Sequence, residues 1–148
     1  MRLQKSPTRP NPIVLCLLIA LMAMSYACGE DGTHDIAKEM IEVSGTWTTS
    51  FGGTEIITAE RWDLTDIVTF DNTARWAVTQ NDADAEFSPG KFNRFVWTPL
   101  VNDSFYYCWA DFALDSAELA ESSDAEVDAT NPDEDGCGGF SWTKMTRQ

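Results

Sequence analysis

From residue 45 onward the chain breaks into short runs rich in Thr, Val, Ile, Trp and Phe, punctuated by Gly, Asp and Asn. Strands this short, joined by close turns, belong to antiparallel β domains rather than to βαβ units. Residues 45–51 (GTWTTSF) alternate, with Trp47, Thr49 and Phe51 on one face. Gly52-Gly53 predicts a two-residue hairpin turn, with 54–59 (TEIITA) returning. Residues 66–70 (DIVTF), an Asp71-Asn72 turn and residues 73–80 (TARWAVTQ) predict a second hairpin. A polar loop over 81–90 leads to 91–98 (KFNRFVWT), and Asn102-Asp103 turns the chain into 104–112 (SFYYCWADF). Residues 138–145 (GGFSWTKM) supply a closing strand with Phe140 and Trp142 on one face. The expected fold class is all-β with one short helix: a small antiparallel up-and-down barrel, lipocalin-like, or a sandwich.

The helix is expected where this pattern fails. Residues 114–130 are rich in Ala, Ser and acid and contain no aromatic residue. Asp115 with Glu118 three positions later reads as a capping box, and Leu114, Ala117 and Ala120 share a face. A short helix on the outside, followed by an acidic loop, makes 114–136 an insertion in a domain that runs 44–148. Residues 131–136 (NPDEDG) place oxygen ligands at alternate positions before a glycine, like the start of an EF-hand loop. The twelfth position of that loop needs a bidentate Glu and is Trp142. A solvated turn is the expectation, with no metal and no cofactor.

The first 27 residues read as a signal peptide. Arg2, Lys5 and Arg9 make a basic start, and 13–24 (IVLCLLIALMAM) is an uncharged apolar run. That run is shorter than the roughly 20 residues needed to span a bilayer as a helix. Ala27-Cys28-Gly29 resembles the end of a bacterial lipobox, although Ser25 and Tyr26 stand where that pattern prefers a branched aliphatic and a small residue. The resemblance implies cleavage before Cys28 and thioether lipidation of Cys28, whereas ordinary signal peptidase would cut the same bond and leave a free thiol; residues 28–43, polar and glycine-containing at the start, read as a tether leading into the domain. Gly29 in place of Asp after the cysteine implies, by enteric sorting rules, the outer membrane.

Cysteine usage supports lipidation. Of the four cysteines, Cys16 leaves with the signal, and an odd thiol among Cys28, Cys108 and Cys137 is a liability in an oxidising compartment. Modifying Cys28 leaves Cys108 and Cys137 to form one disulfide that encloses the insertion. A zinc site is the competitor, but two cysteines and a remote His34 make a poor ligand set. Three of the ten basic residues and none of the 24 acidic ones fall in 1–27, so processing takes the formal charge from −14 to −17. Such a surface repels nucleic acid. The expected partner is the membrane, reached through the N-terminal lipid, with any protein or small-molecule partner left open.

All six tryptophans (47, 62, 76, 97, 109 and 142) follow the signal. Trp47, Trp97 and Trp142 lie on faces with other apolar residues and are expected in the core. Trp62, flanked by Arg61 and Asp63, is expected to be the most exposed; with Tyr107 and Trp109 it is the candidate ligand-binding group at a barrel mouth. Catalysis is not expected. The chain has no Gly-x-Ser-x-Gly, and its only histidine, His34, precedes the domain.

Gly45-Thr46-Trp47, the strand Phe105-Tyr106-Tyr107-Cys108 and the segment Gly136-Cys137-Gly138-Gly139-Phe140-Ser141-Trp142 together resemble a group of small lipoproteins of spirochaetes and the myxobacterial side of the proteobacteria. The resemblance implies the fold and an envelope location and carries no activity. Two functional classes stay open: an anchored structural or interaction lipoprotein with a filled barrel, and a lipocalin-like module binding a small apolar or sugar-like ligand. Small barrels tend to be filled, which favours the first.

Overall fold

A computed structural model describes residues 39–148; the signal peptide, Cys28 and His34 lie outside the described residues. Eight strands follow one another: β1 Gly45–Thr49, β2 Thr54–Ile57, β3 Arg61–Trp62, β4 Thr65–Asp71, β5 Trp76–Asn81, β6 Phe92–Trp97, β7 Ser104–Leu114 and β8 Thr143–Arg147. Each pairs antiparallel with its neighbour in sequence, and β8 returns to β1, so the sheet closes as an up-and-down barrel. Closure rules out the sandwich and leaves no free edge.

Alternation sorts the side chains between the two faces. Along β6, Asn93, Phe95 and Trp97 are buried while Phe92, Arg94 and Val96 are only partly covered. Phe105 and Tyr107 do the same on β7. With eight strands the interior is just wide enough for side chains to fill it, and aromatic rings fill this one. Trp62 lies at its centre, with ring centroids 5.1 Å from Tyr107, 5.2 Å from Phe95 and 5.9 Å from Trp97. Trp47 meets Phe105 edge to face at 4.8 Å.

One end of the barrel is closed by the chain that enters it. Ile41 and Val43, read from sequence as the end of the tether, are fully buried in the core. Trp47 Nε1 donates to the Val43 carbonyl (2.9 Å) and Trp97 Nε1 to Glu42 Oε1 (2.7 Å). Asn72 and Arg75, in the β4–β5 turn, hold Glu42 from the other side.

Several local expectations are corrected. Trp62 is 2 % exposed: β3 has only two residues, too few for alternation to show, and Arg61 takes the outward position. Phe51 is 71 % exposed because β1 ends at Thr49 and the turn spans 49–53 rather than two glycines. The β4–β5 turn is likewise longer than Asp71-Asn72, since Asp71 pairs with Trp76. Helix α1 is Ala117–Glu121, capped by Ser116 rather than Asp115, whose carboxylate is held by Lys91.

The segment between β7 and β8 packs on the outside of the barrel. Arg94 stacks over Trp76 at 4.0 Å and donates to the carbonyls of Ala120 and Glu121, tying α1 to the sheet. Cys108, facing outward from β7, forms the disulfide with Cys137. Trp142 is buried here rather than in the barrel; its Nε1 donates to the Asp128 carbonyl (3.0 Å). Phe140 shares no buried face with it and is 76 % exposed. Gly136 has φ +93°, and a Cβ there would lie 1.8 Å from the Asp128 oxygen, so only glycine fits.

Candidate functional site

The end opposite the Ile41–Val43 plug is open. Strand polarity brings the β3–β4 turn, the β5–β6 loop over 82–91 and the far end of β7 to this mouth. They surround a cavity of about 660 Å³. Leu64, Phe87, Trp109 and Phe112 supply its apolar wall, and all four are exposed, from 42 % for Trp109 to 77 % for Phe87. Trp109 and Phe112 also border a second apolar cleft of about 400 Å³ with Phe140.

The floor is polar and satisfied. Asn93 is 1 % exposed; its amide donates to Asn81 Oδ1 (2.8 Å) and Thr79 Oγ1 (3.3 Å), and its carbonyl accepts from the Ala113 N–H (3.3 Å). Asn81 continues the network upward, donating to the carbonyls of Ser88 (2.9 Å) and Phe87 (3.3 Å). Gln80 donates to the Gly90 carbonyl. Strand side chains therefore hold the backbone of the loop that carries Phe87. An apolar ring presented on an anchored loop is a preorganised contact, with little ordering left to do on binding.

Of the three ligand-binding residues expected from sequence, the structure brings Trp109 to the cavity. It packs on Phe95 at 4.6 Å and forms the boundary between core and mouth. Tyr107 and Trp62 lie deeper, in the filled core, joined through Glu55: the Tyr107 hydroxyl donates to Oε1 (2.9 Å) and Trp62 Nε1 to Oε2 (3.2 Å). Asn93, Phe87, Leu64 and Phe112 are additional lining residues. Phe87, in a polar stretch with no alternation, offered no sequence signal; the register irregularities between β6 and β7 that place Asn93 opposite Ala113 are a tertiary feature.

The electrostatics of this end are set by burial and by two pairs. Burial raises the Glu55 carboxyl, partly offset by its hydrogen bonds from Tyr107 and Trp62. Burial and the neighbouring Glu55 push the Tyr107 hydroxyl well above its ordinary value, which keeps it a donor. Asp82 is lowered by its hydrogen bonds from Arg61, at 3.1 and 3.0 Å. Because folding raises the Glu55 carboxyl, its contribution to stability is complete below about pH 4.5 and is lost as pH rises through the folded value. Glu55→Gln is expected to flatten stability against pH above 4.5 relative to wild type, in urea titrations. Parallel curves for the two proteins would refute this.

The fold and site define a closed, filled eight-stranded antiparallel barrel with a cleft at one mouth. Comparison of the chain with protein families, with curated proteins and with solved structures returns no match.

Proposed function

We propose that this protein is a non-catalytic binding module of the cell envelope, exported and anchored through a lipid on Cys28, whose small ligand sits at the barrel mouth. The observation that carries the reading is the placement of Leu64, Phe87, Trp109 and Phe112 around one cavity while the interior below is packed shut. Exposed apolar groups gathered around a concavity are the usual mark of a binding site in a soluble domain. The ligand rests on the core rather than inside it, unlike a ligand within an open lipocalin barrel. Residues 39–43 join the barrel at the closed end, so the mouth lies at the end opposite the arriving N-terminal chain. An anchored protein would thereby keep its mouth accessible.

The neutral fluorophore N-phenyl-1-naphthylamine tests the site. Its emission is expected to rise on binding, with Trp109→Ala and Phe87→Ser each weakening the affinity by roughly five- to tenfold, as the loss of an aromatic contact of about 1–1.5 kcal/mol implies. Phe87 lies outside the core, so its replacement separates lost binding from lost folding. No enhancement with wild type, or equal enhancement with both variants, would reject the mouth as the site. The anchor is tested by detergent phase partition: wild type is expected in the detergent phase and exported Cys28→Ala in the aqueous phase.

A further inference from the structure

Resting on that reading, we propose that the ligand is an ammonium-bearing amphiphile, a small molecule with an apolar body and a cationic nitrogen. Two independent features of the mouth select this class. The first is aromatic: Trp109, Phe87 and Phe112 line one cavity, and the electron-rich faces of such rings attract ammonium groups as well as apolar ones.

The second is charge. Asp82, Asp84 and Glu86 line the same cavity on the β5–β6 loop. Asp82 is occupied by Arg61, which also binds Asp66 at 2.7 Å, and Lys91 is occupied by Asp115. Asp84 and Glu86 have no cationic partner among the described residues. Asn81 and Gln80 hold the loop backbone at Phe87, Ser88 and Gly90, next to Glu86, and Asp84 lines the same cavity from the same loop. An anionic headgroup would meet both of them with no Lys or Arg among the described residues that line the cavity. A neutral headgroup would leave them unused. A cation satisfies them and the ring faces together, and the net negative charge of the chain, in which 24 acidic residues outnumber 10 basic ones, draws it in.

Three amphiphiles with alkyl tails of nine or ten carbons and different headgroups test the proposal by calorimetry below their aggregation concentrations: decyltrimethylammonium, decyl maltoside and decanoate. At low ionic strength the cation is expected to bind roughly tenfold more tightly than the maltoside, and decanoate most weakly, with the gap narrowing to about twofold at high salt because the carboxylates are exposed. The double variant Asp84→Asn/Glu86→Gln is expected to cut the cation-to-maltoside ratio from about tenfold to about twofold at low salt. Equal binding of all three, or preference for the anion, would overturn the ligand class while leaving the mouth as a binding site. A cation preference undiminished in the double variant would overturn the role of these carboxylates. Failure of all three to bind would remove the proposal together with the reading on which it rests.

Discussion

Trp62→Ala is expected to destabilise the domain by about 3–5 kcal/mol, the range of large-to-small changes in a packed core. Trp62 touches more of the aromatic interior than any neighbour, meeting Phe95, Trp97, Phe105 and Tyr107. Its indole also supplies one of the two hydrogen bonds that a partly buried Glu55 receives from side chains. Alanine would open a void at the centre of the barrel and leave that carboxylate with Tyr107 alone. A domain of this size commonly has only 5–15 kcal/mol in hand, so the variant would sit near the limit of folding. Trp62→Phe keeps a ring and loses the N–H, and is expected to cost less, about 1–2 kcal/mol. Urea unfolding followed by fluorescence measures both. A change under about 1 kcal/mol for Trp62→Ala would mean that the ring does not organise the core.

Removal of the Cys108–Cys137 disulfide is expected to cost roughly 3–4 kcal/mol by the chain-entropy relation, for the observed separation of 29 residues. The physical reason lies in the unfolded chain. Without the bond, the long connection between β7 and β8 is free, and β8 must find both β7 and β1 to close the barrel. Natively the connection is fastened at other points: Tyr106 donates to Asp133 (3.0 Å), Trp142 to Asp128, and Arg94 to the end of α1. The Cys108→Ala/Cys137→Ala variant should therefore keep the barrel but unfold at lower denaturant. Cleavage within 122–141 by a nonspecific protease should accelerate, read by mass spectrometry. A midpoint and cleavage rate equal to those of the oxidised wild type would rule out this role.

Sequence patterning was informative where a strand was long enough to show its period. β6 runs six residues, and the burial of Trp97 on the face it shares with Phe95 follows from alternation. β3, with two residues, carries no period, so the charged neighbours of Trp62 point outward while the ring itself is buried. Hairpin ends were misjudged for a related reason: turn propensity names the residues that bend but not the pairing partners that decide where a strand stops. The candidate site was visible only at Trp109. Phe112 lies further along the strand that carries Trp109, and the rest of the wall comes from turns and loops whose apolar residues, Leu64 and Phe87, are isolated in sequence and meet only because strand polarity carries them to the same mouth.

By itself the amino-acid sequence determined an all-β domain, an outer helical insertion and the pairing of Cys108 with Cys137, because period, turn residues and cysteine count are local or countable properties. Closure into a barrel, the plugging of one end by Ile41 and Val43, and the burial of Trp142 outside the barrel were decided only by the tertiary structure. These depend on register and on which strands meet after the chain has wound round. A shift of one residue reverses the face of every side chain on a strand, and only packing against the opposite wall selects between the two.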